Sequence, residues 1–250
     1  MKVTILGSGT GVPRLERGAP GYFLQFGNNT ALLDSGPGTL QRLLAVGGDY
    51  RFLDALFYTH THPDHITDFI PLLFALKYTP GFQRKTPLRV FGPPVLRDYF
   101  RRAVHLHGDW LKELPFDLIW TINKKEFTFG GMQVQTAEMN HSVPTVGYRL
   151  TADSGLSLVF SGDTDVTPAL ISLARNADWA LFECSFPDDQ KIEGHLTPTE
   201  AAKIASAAGV KNLILTHLYA PCDAADPISV CRSHFSGSVQ LARDGMVLEI

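Results

Sequence analysis

Short apolar runs broken by glycine and asparagine open this chain. Val3-Thr4-Ile5-Leu6 reads as a strand running into the turn Gly7-Ser8-Gly9-Thr10-Gly11-Val12-Pro13. Tyr22–Phe26 and Thr30–Asp34 read as two further strands joined at Gly27-Asn28-Asn29. Gly36 to Gly38 lead into a short helix over Thr39–Leu44, ended by Gly47-Gly48. The run Ala55–Tyr58 is a fourth strand. The apolar spacing from Ile66 to Tyr78 then predicts a helix packed on a sheet.

Arg89–Gly92 predicts a strand and Val95–Val104 a helix, followed by strands at Leu118–Ile122, Glu126–Phe129 and Met132–Glu138. The second half repeats the alternation. Strands fall at Val146–Leu150, Leu156–Phe160, Trp179–Glu183, Leu213–Thr216, Val239–Ala242 and Met246–Glu249. Helices fall at Pro168–Arg175 and Pro198–Ala208, the latter capped by Thr197. No proline-, glycine- or serine-rich linker separates the halves. The expected fold is α/β: two mixed β-sheets face to face with helices on the outer faces, in one domain over residues 1–250.

Composition narrows the class. Hydrophobic content of 44% and charged content of 19% are those of an ordinary globular protein. No apolar run reaches the roughly 18–20 residues of a membrane span. Met1-Lys2-Val3 goes straight into a strand pattern without a signal-peptide cleavage region, so a cytoplasmic location is the expectation. Cys184, Cys222 and Cys231 form no disulfide framework and read as buried thiols. A net charge of -3 gives no global reason to expect a polyanionic partner.

The chemistry concentrates in Tyr58-Thr59-His60-Thr61-His62-Pro63-Asp64-His65. It holds three of the nine histidines, just past a predicted strand. Imidazole and carboxylate together suit zinc and neighbouring divalent metals. His60 and His62 are two apart and face the same way on extended backbone, while Pro63 stiffens the turn presenting Asp64 and His65. His141, Asp163 and His217 each follow an apolar strand, which makes seven candidate ligands. His105 and His107, just past the helix at 95–104, are either pocket residues or cations suited to a helix C-terminus.

This set resembles the metallo-β-lactamase superfamily, whose H-x-H-x-D-H loop stands here as His60 to His65. The resemblance extends through His141, Asp163, His217, Leu33-Asp34-Ser35-Gly36 and Leu241–Met246. It implies a four-layer αβ/βα sandwich with two divalent ions, zinc foremost, manganese or iron as alternatives. By position His60, His62 and His141 would hold one ion, Asp64, His65 and His217 the other, with Asp163 bridging. Such a centre acidifies a bridging water and stabilises a developing oxyanion. Asp64 would also orient that water or take its proton. An aspartate rather than a cysteine at 163 points away from the lactam-hydrolysing branch.

Within the superfamily the sequence is most similar to the ribonuclease Z-like branch, through Gly7–Pro13, Leu181–Phe186 and Gly194-His195-Leu196-Thr197. The similarity implies that His195 donates a proton to the leaving oxygen or holds a phosphoryl oxygen, with Glu183 orienting it. The tRNA-gripping arm of that branch has no counterpart between His141 and Asp163. The expected substrate is therefore a small phosphodiester, such as a cyclic nucleotide or cyclic ribose phosphate, rather than tRNA. The alternatives are tRNA 3′-processing, hydrolysis of a carboxylic ester, thioester or lactone, and a non-catalytic metal-binding role. A homodimer is the assembly to which such a chain is most open.

Overall fold

The computed structural model describes all 250 residues. The first sheet draws on strands β1 (Lys2–Gly7), β2 (Gly21–Phe26), β3 (Asn29–Ser35), β4 (Ala55–Phe57), β5 (Leu88–Gly92), β6 (Leu118–Ile122) and β14 (Val247–Glu249). The second draws on β7 (Glu126–Phe129), β8 (Met132–Glu138), β9 (Val146–Thr151), β10 (Ser157–Phe160), β11 (Trp179–Glu183), β12 (Asn212–Thr216) and β13 (Ser238–Leu241). Their orders are β14-β1-β2-β3-β4-β5-β6 and β13-β12-β11-β10-β9-β8-β7. Each sheet is mixed: β3 to β6 run parallel in the first, and β10 to β13 in the second.

Helices α1 (Thr39–Ala45), α2 (Pro63–Ile66), α3 (Phe69–Tyr78) and α4 (Val95–His107) belong to the first half. Helices α5 (Pro168–Leu173), α6 (Pro198–Ala208), α7 (Ala220–Ala224) and α8 (Pro227–Arg232) belong to the second. Apolar residues form three buried layers. One joins the first sheet to α1, α3 and α4 around Leu56, Leu72 and Leu96. One lies between the sheets around Phe57, Phe91 and Tyr148, and one joins the second sheet to α5, α6 and α8. Phe57 stacks on Phe91 at 4.5 Å and meets Tyr148 edge-on at 5.6 Å. Truncating a ring there to alanine costs about 3–5 kcal/mol. The sandwich expected from the alternation is what forms.

Two local expectations need correction, and one stretch gains helices that no periodicity predicted. The helix predicted over 66–78 is two helices, because Asp68 turns inward at the break. Its amide donates to Ser35 O at 2.9 Å and its carboxylate accepts from Leu40 N at 2.9 Å, so it serves the start of α1 instead of continuing a helix. Helix α4 continues to His107, so His105 and His107 sit in its last turn and not beyond it. The stretch 218–232 carries α7 and α8, which proline starts and an Asp226 cap make possible in segments too short for a periodic signal. No helix is long and apolar enough to cross a membrane. All three cysteines are free and buried, with Cys184 Sγ 3.6 Å from Cys222 Sγ.

Candidate metal centre

Parallel strands deliver their C-terminal ends, and hence the loops after them, to a common edge. Here β3, β4, β10, β11 and β12 bring Asp34, the His60–His65 loop, Asp163, Glu183 and His217 together. The two sheets are fastened at that seam: Tyr148 OH donates to Tyr58 O at 2.7 Å, and Val146 N to Thr59 O at 3.0 Å. His62 is still extended. Pro63 begins α2, which places Asp64 and His65 in one helical turn. His217 adopts a left-handed φ of 57° and Asp34 one of 54°, rare for such residues and typical of functional sites. Gly36 is required by space, since a Cβ there would lie 1.8 Å from Asp64 O.

The seven predicted ligands do meet. His60, His62, His141 and Asp163 form one group and Asp64, His65 and His217 another, with ligand atoms in each within 4.8 Å of one another. His62 Nδ1 lies 3.0 Å from His60 Nε2 and 3.1 Å from His141 Nε2. Ligand nitrogens about a tetrahedral ion with ~2.0–2.1 Å bonds sit roughly 3.3 Å apart. Asp163 Oδ2 lies 3.7 Å from His60 Nε2, 3.8 Å from His141 Nε2 and 3.5 Å from His217 Nε2. Its Oδ1 lies 3.3 Å from His65 Nε2. Asp163 thus faces both groups. Asp64 Oδ2 lies 3.4 Å from His217 Nε2 and accepts from Gly11 N at 3.1 Å, which explains the glycine-rich turn after β1.

Hydrogen bonds around the ring set its protons. Thr59 donates its amide and hydroxyl to Asp34, both at 2.8 Å, and its oxygen accepts from His60 Nδ1 at 2.9 Å. His65 Nδ1 donates to Asp34 Oδ2 at 2.7 Å and His141 Nδ1 to Gly194 O at 2.8 Å. His217 Nδ1 donates to Ser185 Oγ at 2.9 Å, because the Ser185 hydroxyl is spent on Glu183 Oε2. Four histidines therefore turn Nε2 lone pairs into the centre, the arrangement outer partners impose on metal ligands. His65 Nε2 and Asp163 Oδ1 are buried with no hydrogen-bond partner. Converging lone pairs and orphaned buried acceptors fit a pair of cations. Burial, with the neighbouring His65, holds His60 well below the usual imidazole range, so it stays a neutral donor. Asp163 is buried too, yet His217, His65 and His60 hold its carboxyl well below the carboxylate range.

Beside the centre His195 Nδ1 donates to Glu183 Oε1 at 3.0 Å and lies 3.2 Å from Ser185 Oγ. Burial opposes a charge on this ring, but the hydrogen bond and charge of Glu183 outweigh it and push its pKa up to about 9. Glu183 also accepts from Thr164 N at 2.8 Å. The His195 ring centroid is 5.1 Å from that of His141 and 5.6 Å from that of His217. His105 is exposed. His107 lines a surface cavity of about 640 Å³ with Ile70, Phe74 and Trp110, and neither joins the metal ligands.

Sequence reasoning missed three groups that hold this site. Asp34 orients His65, and its place at the end of an apolar strand leading into Ser35-Gly36 was the available signal. Ser185 couples His217 to Glu183. Lys191 Nζ donates to Asp165 Oδ1 at 2.8 Å, to His195 O at 2.6 Å and to Glu200 Oε2 at 2.5 Å. Asp165 Oδ2 accepts from Gly194 N at 3.0 Å. That clamp fixes the segment carrying His195 and the carbonyl on which His141 rests. Nothing in its spacing announces it.

Residues 29–218 match the family model described as a beta-lactamase superfamily domain. Ribonuclease Z of Myxococcus xanthus is 27% identical over an alignment of 306 positions, covering 100% of this chain and 98% of that protein. The metallo-beta-lactamase fold protein YhfI from Bacillus subtilis superposes with a TM-score of 0.86 at 28% identity, covering 100% and 98% of the two chains. The short form of human tRNase Z superposes with a TM-score of 0.81 at 26% identity, again covering 100% and 98%.

Proposed function

The chain belongs to the beta-lactamase superfamily and is a metal-dependent hydrolase, and we propose that it cleaves a small phosphodiester. The observation that carries this reading is the charged Glu183–His195 pair beside a complete two-site ligand set. Two divalent ions held by these residues would neutralise phosphoryl oxygens and acidify bound water. Zinc suits the imidazole-rich set, and manganese or iron suits its carboxylates.

The chain's own residues supply the rest. His195, with a pKa pushed up to about 9, is protonated at neutral pH and donates from its free Nε2 to the leaving oxygen. Glu183 accepts at Nδ1, so the ring keeps one orientation through the transfer. Asp64 is held well below the usual carboxylate range: burial opposes this, but the neighbouring His217 and His65 imidazoles favour its anion and prevail. It remains an acceptor able to orient a water. Ser185 ties His217 to Glu183, so ligand and proton donor share one frame.

The preference for a small substrate rests on what surrounds the centre. Between His141 and Asp163 the chain makes only the β9–β10 hairpin, closed where Ala152 N donates to Leu156 O at 2.9 Å. The 306 aligned positions against 250 residues mean that the Myxococcus xanthus relative carries insertions absent here. Metal-loaded protein should hydrolyse bis(p-nitrophenyl) phosphate and a cyclic nucleotide, and His62→Ala should abolish both. Wild-type turnover by metal-free His62→Ala protein refutes the reading. A second reading, tRNA 3′-processing, is favoured by the relative named ribonuclease Z that aligns along the whole chain. Cleavage of precursor tRNA at moderate salt, faster than of any small diester, would put it first.

A further inference from the structure

The parallel strands β3 to β6 of the first sheet begin at the opposite end of the sandwich from the metal ligands. Five steps of extended chain from Asp54 to Thr59 separate the two ends by roughly 16–17 Å at ~3.3 Å per residue. There β5 opens with Arg89 between Leu88 and Val90, both buried against the outer helices. Alternation therefore turns Arg89, like Phe91, towards the second sheet, into an apolar layer that includes Ala55, Phe57, Phe91 and Phe129.

No hydrogen bond or ion pair reaches this half-buried guanidinium, whose Cζ lies 5.9 Å from the centre of the Phe129 ring. Arg84, by contrast, donates to the carbonyls of Arg51, Leu53, Thr86 and Pro87. Arg89 opens into a cavity of about 510 Å³ that it shares with Asp54, Thr121, Lys124, Phe127 and Phe129. Lys124 is exposed and equally unpaired, on a turn set by the left-handed Asn123. Asp54 is the one acid of the lining, and its Oδ2 is occupied by Thr30 N at 2.8 Å. Phe127 is half-buried and stacks on Phe91 at 4.7 Å with planes 10° apart, which covers one face of its ring.

We infer that this cavity binds a nucleoside or aryl monophosphate, with the phosphate between Arg89 and Lys124 and the ring against Phe127. A guanidinium matches two phosphate oxygens at once, and two cations against one occupied carboxylate suit a dianion better than a single carboxylate. A planar ring continues the Phe91–Phe127 stack. The volume falls within the roughly 300–1,000 Å³ of small-molecule sites. The ligand fills the space in which a cation now lacks a partner.

The test uses full-length, metal-loaded protein titrated with AMP, adenosine and inorganic phosphate, followed by residue-resolved amide shifts. AMP should shift the amides of 86–91 and 121–130 saturably, with adenosine and phosphate each binding at least tenfold more weakly. Arg89→Ala and Lys124→Ala should each raise the AMP Kd at least tenfold with hydrolysis at the metal centre unchanged. Arg89→Gln replaces the alanine variant if that one does not fold. AMP shifts confined to residues around the metal centre, or an unchanged Kd in the Arg89 variant, overturn the inference. Phosphate binding as tightly as AMP overturns the ring contact.

Discussion

Replacing Asp34 by asparagine tests whether outer hydrogen bonds, as well as the ligands themselves, make this centre. Asp34 is wholly buried and accepts three donors: Thr59 N, the Thr59 hydroxyl and His65 Nδ1, at 2.8, 2.8 and 2.7 Å. Asparagine keeps the shape and tolerates the left-handed φ of 54°. It cannot accept on both sides. With its oxygen on Thr59, its amide meets the His65 Nδ1 proton; with the amide reversed, it meets Thr59 N–H. In the first case His65 is driven to the other tautomer and its Nε2 carries a proton where a lone pair is needed. An outer partner of a metal-bound histidine contributes about 10–100-fold in affinity, which is ~1.4–2.7 kcal/mol. One donor left unsatisfied in the interior costs a further ~1–3 kcal/mol of stability. Competition with a chromophoric chelator should show the His65 site weakened by that factor, the His60 site less so because the Thr59 hydroxyl shares Asp34 Oδ2, and Tm lowered. Two sites of wild-type affinity in Asp34→Asn would sink the tautomer argument.

Glu183→Gln should keep both metals yet lose about 10²–10⁴ in kcat, since it removes the partner that keeps His195 charged and oriented; metal content by elemental analysis alongside kcat checks it. Lys191→Met should lower kcat several-fold at unchanged metal content by freeing the Asp165–His195–Glu200 clamp, with partial recovery in Lys191→Arg, and equal loss in both variants would argue against positioning. Gly36→Ala should abolish metal binding or folding, because the new methyl meets Asp64 O at 1.8 Å and overpacking of even a relaxed site costs ~1–3 kcal/mol; a metal-replete, wild-type Tm would refute it. Asp223 is bound by Arg14 at 2.6 Å and Arg17 at 2.7 Å. Burial raises its carboxyl but these arginines hold it below the usual value. Its contribution is complete above the unfolded carboxylate pKa of about 4 and fades as pH falls through the folded value. Asp223→Asn should therefore lower Tm at pH 7 and by progressively less as pH falls below about 4, and a Tm deficit that grows in acid would reverse that sign.

Most strands were legible because they are short and largely apolar, and several are bounded by glycine, asparagine or proline, so period and punctuation agreed. The ligands were legible for a related reason. A polar residue within three positions of a strand's end, as at His141, Asp163 and His217, stands at the one edge where strands running the same way deliver their ends. What stayed hidden depends on contacts between distant segments. Asp68 interrupts a helix because it caps another one, and only the fold brings Leu40 to it. Lys191 meets Asp165 and Glu200 across loops whose spacing carries no period. Helices α7 and α8 have five and six residues, too few for a hydrophobic repeat to register.

The same contrast explains why the centre is built on a seam. His60 and His65 hang from the first sheet, His141, Asp163 and His217 from the second, so metal affinity depends on the two sheets keeping register. Several bonds at this end set that register, among them Tyr148 OH to Tyr58 O, Val146 N to Thr59 O and the 2.7 Å contact of the Tyr22 and Thr216 hydroxyls. Tyr148 is 1% exposed and its ring packs edge-on against Phe57, so its hydroxyl works from a fixed position. Tyr148→Phe keeps that packing and removes one neutral hydrogen bond, leaving Tyr58 O without its donor at a cost of ~1–3 kcal/mol. If the seam positions the metals, the variant should weaken both sites equally, whereas Asp34→Asn weakens the His65 site most. Equal loss at both sites on chelator titration, with Tm lowered by a few degrees, would show that the sheets act as one ligand frame. Unaltered affinity in the face of the lowered Tm would assign the positioning to the loops alone.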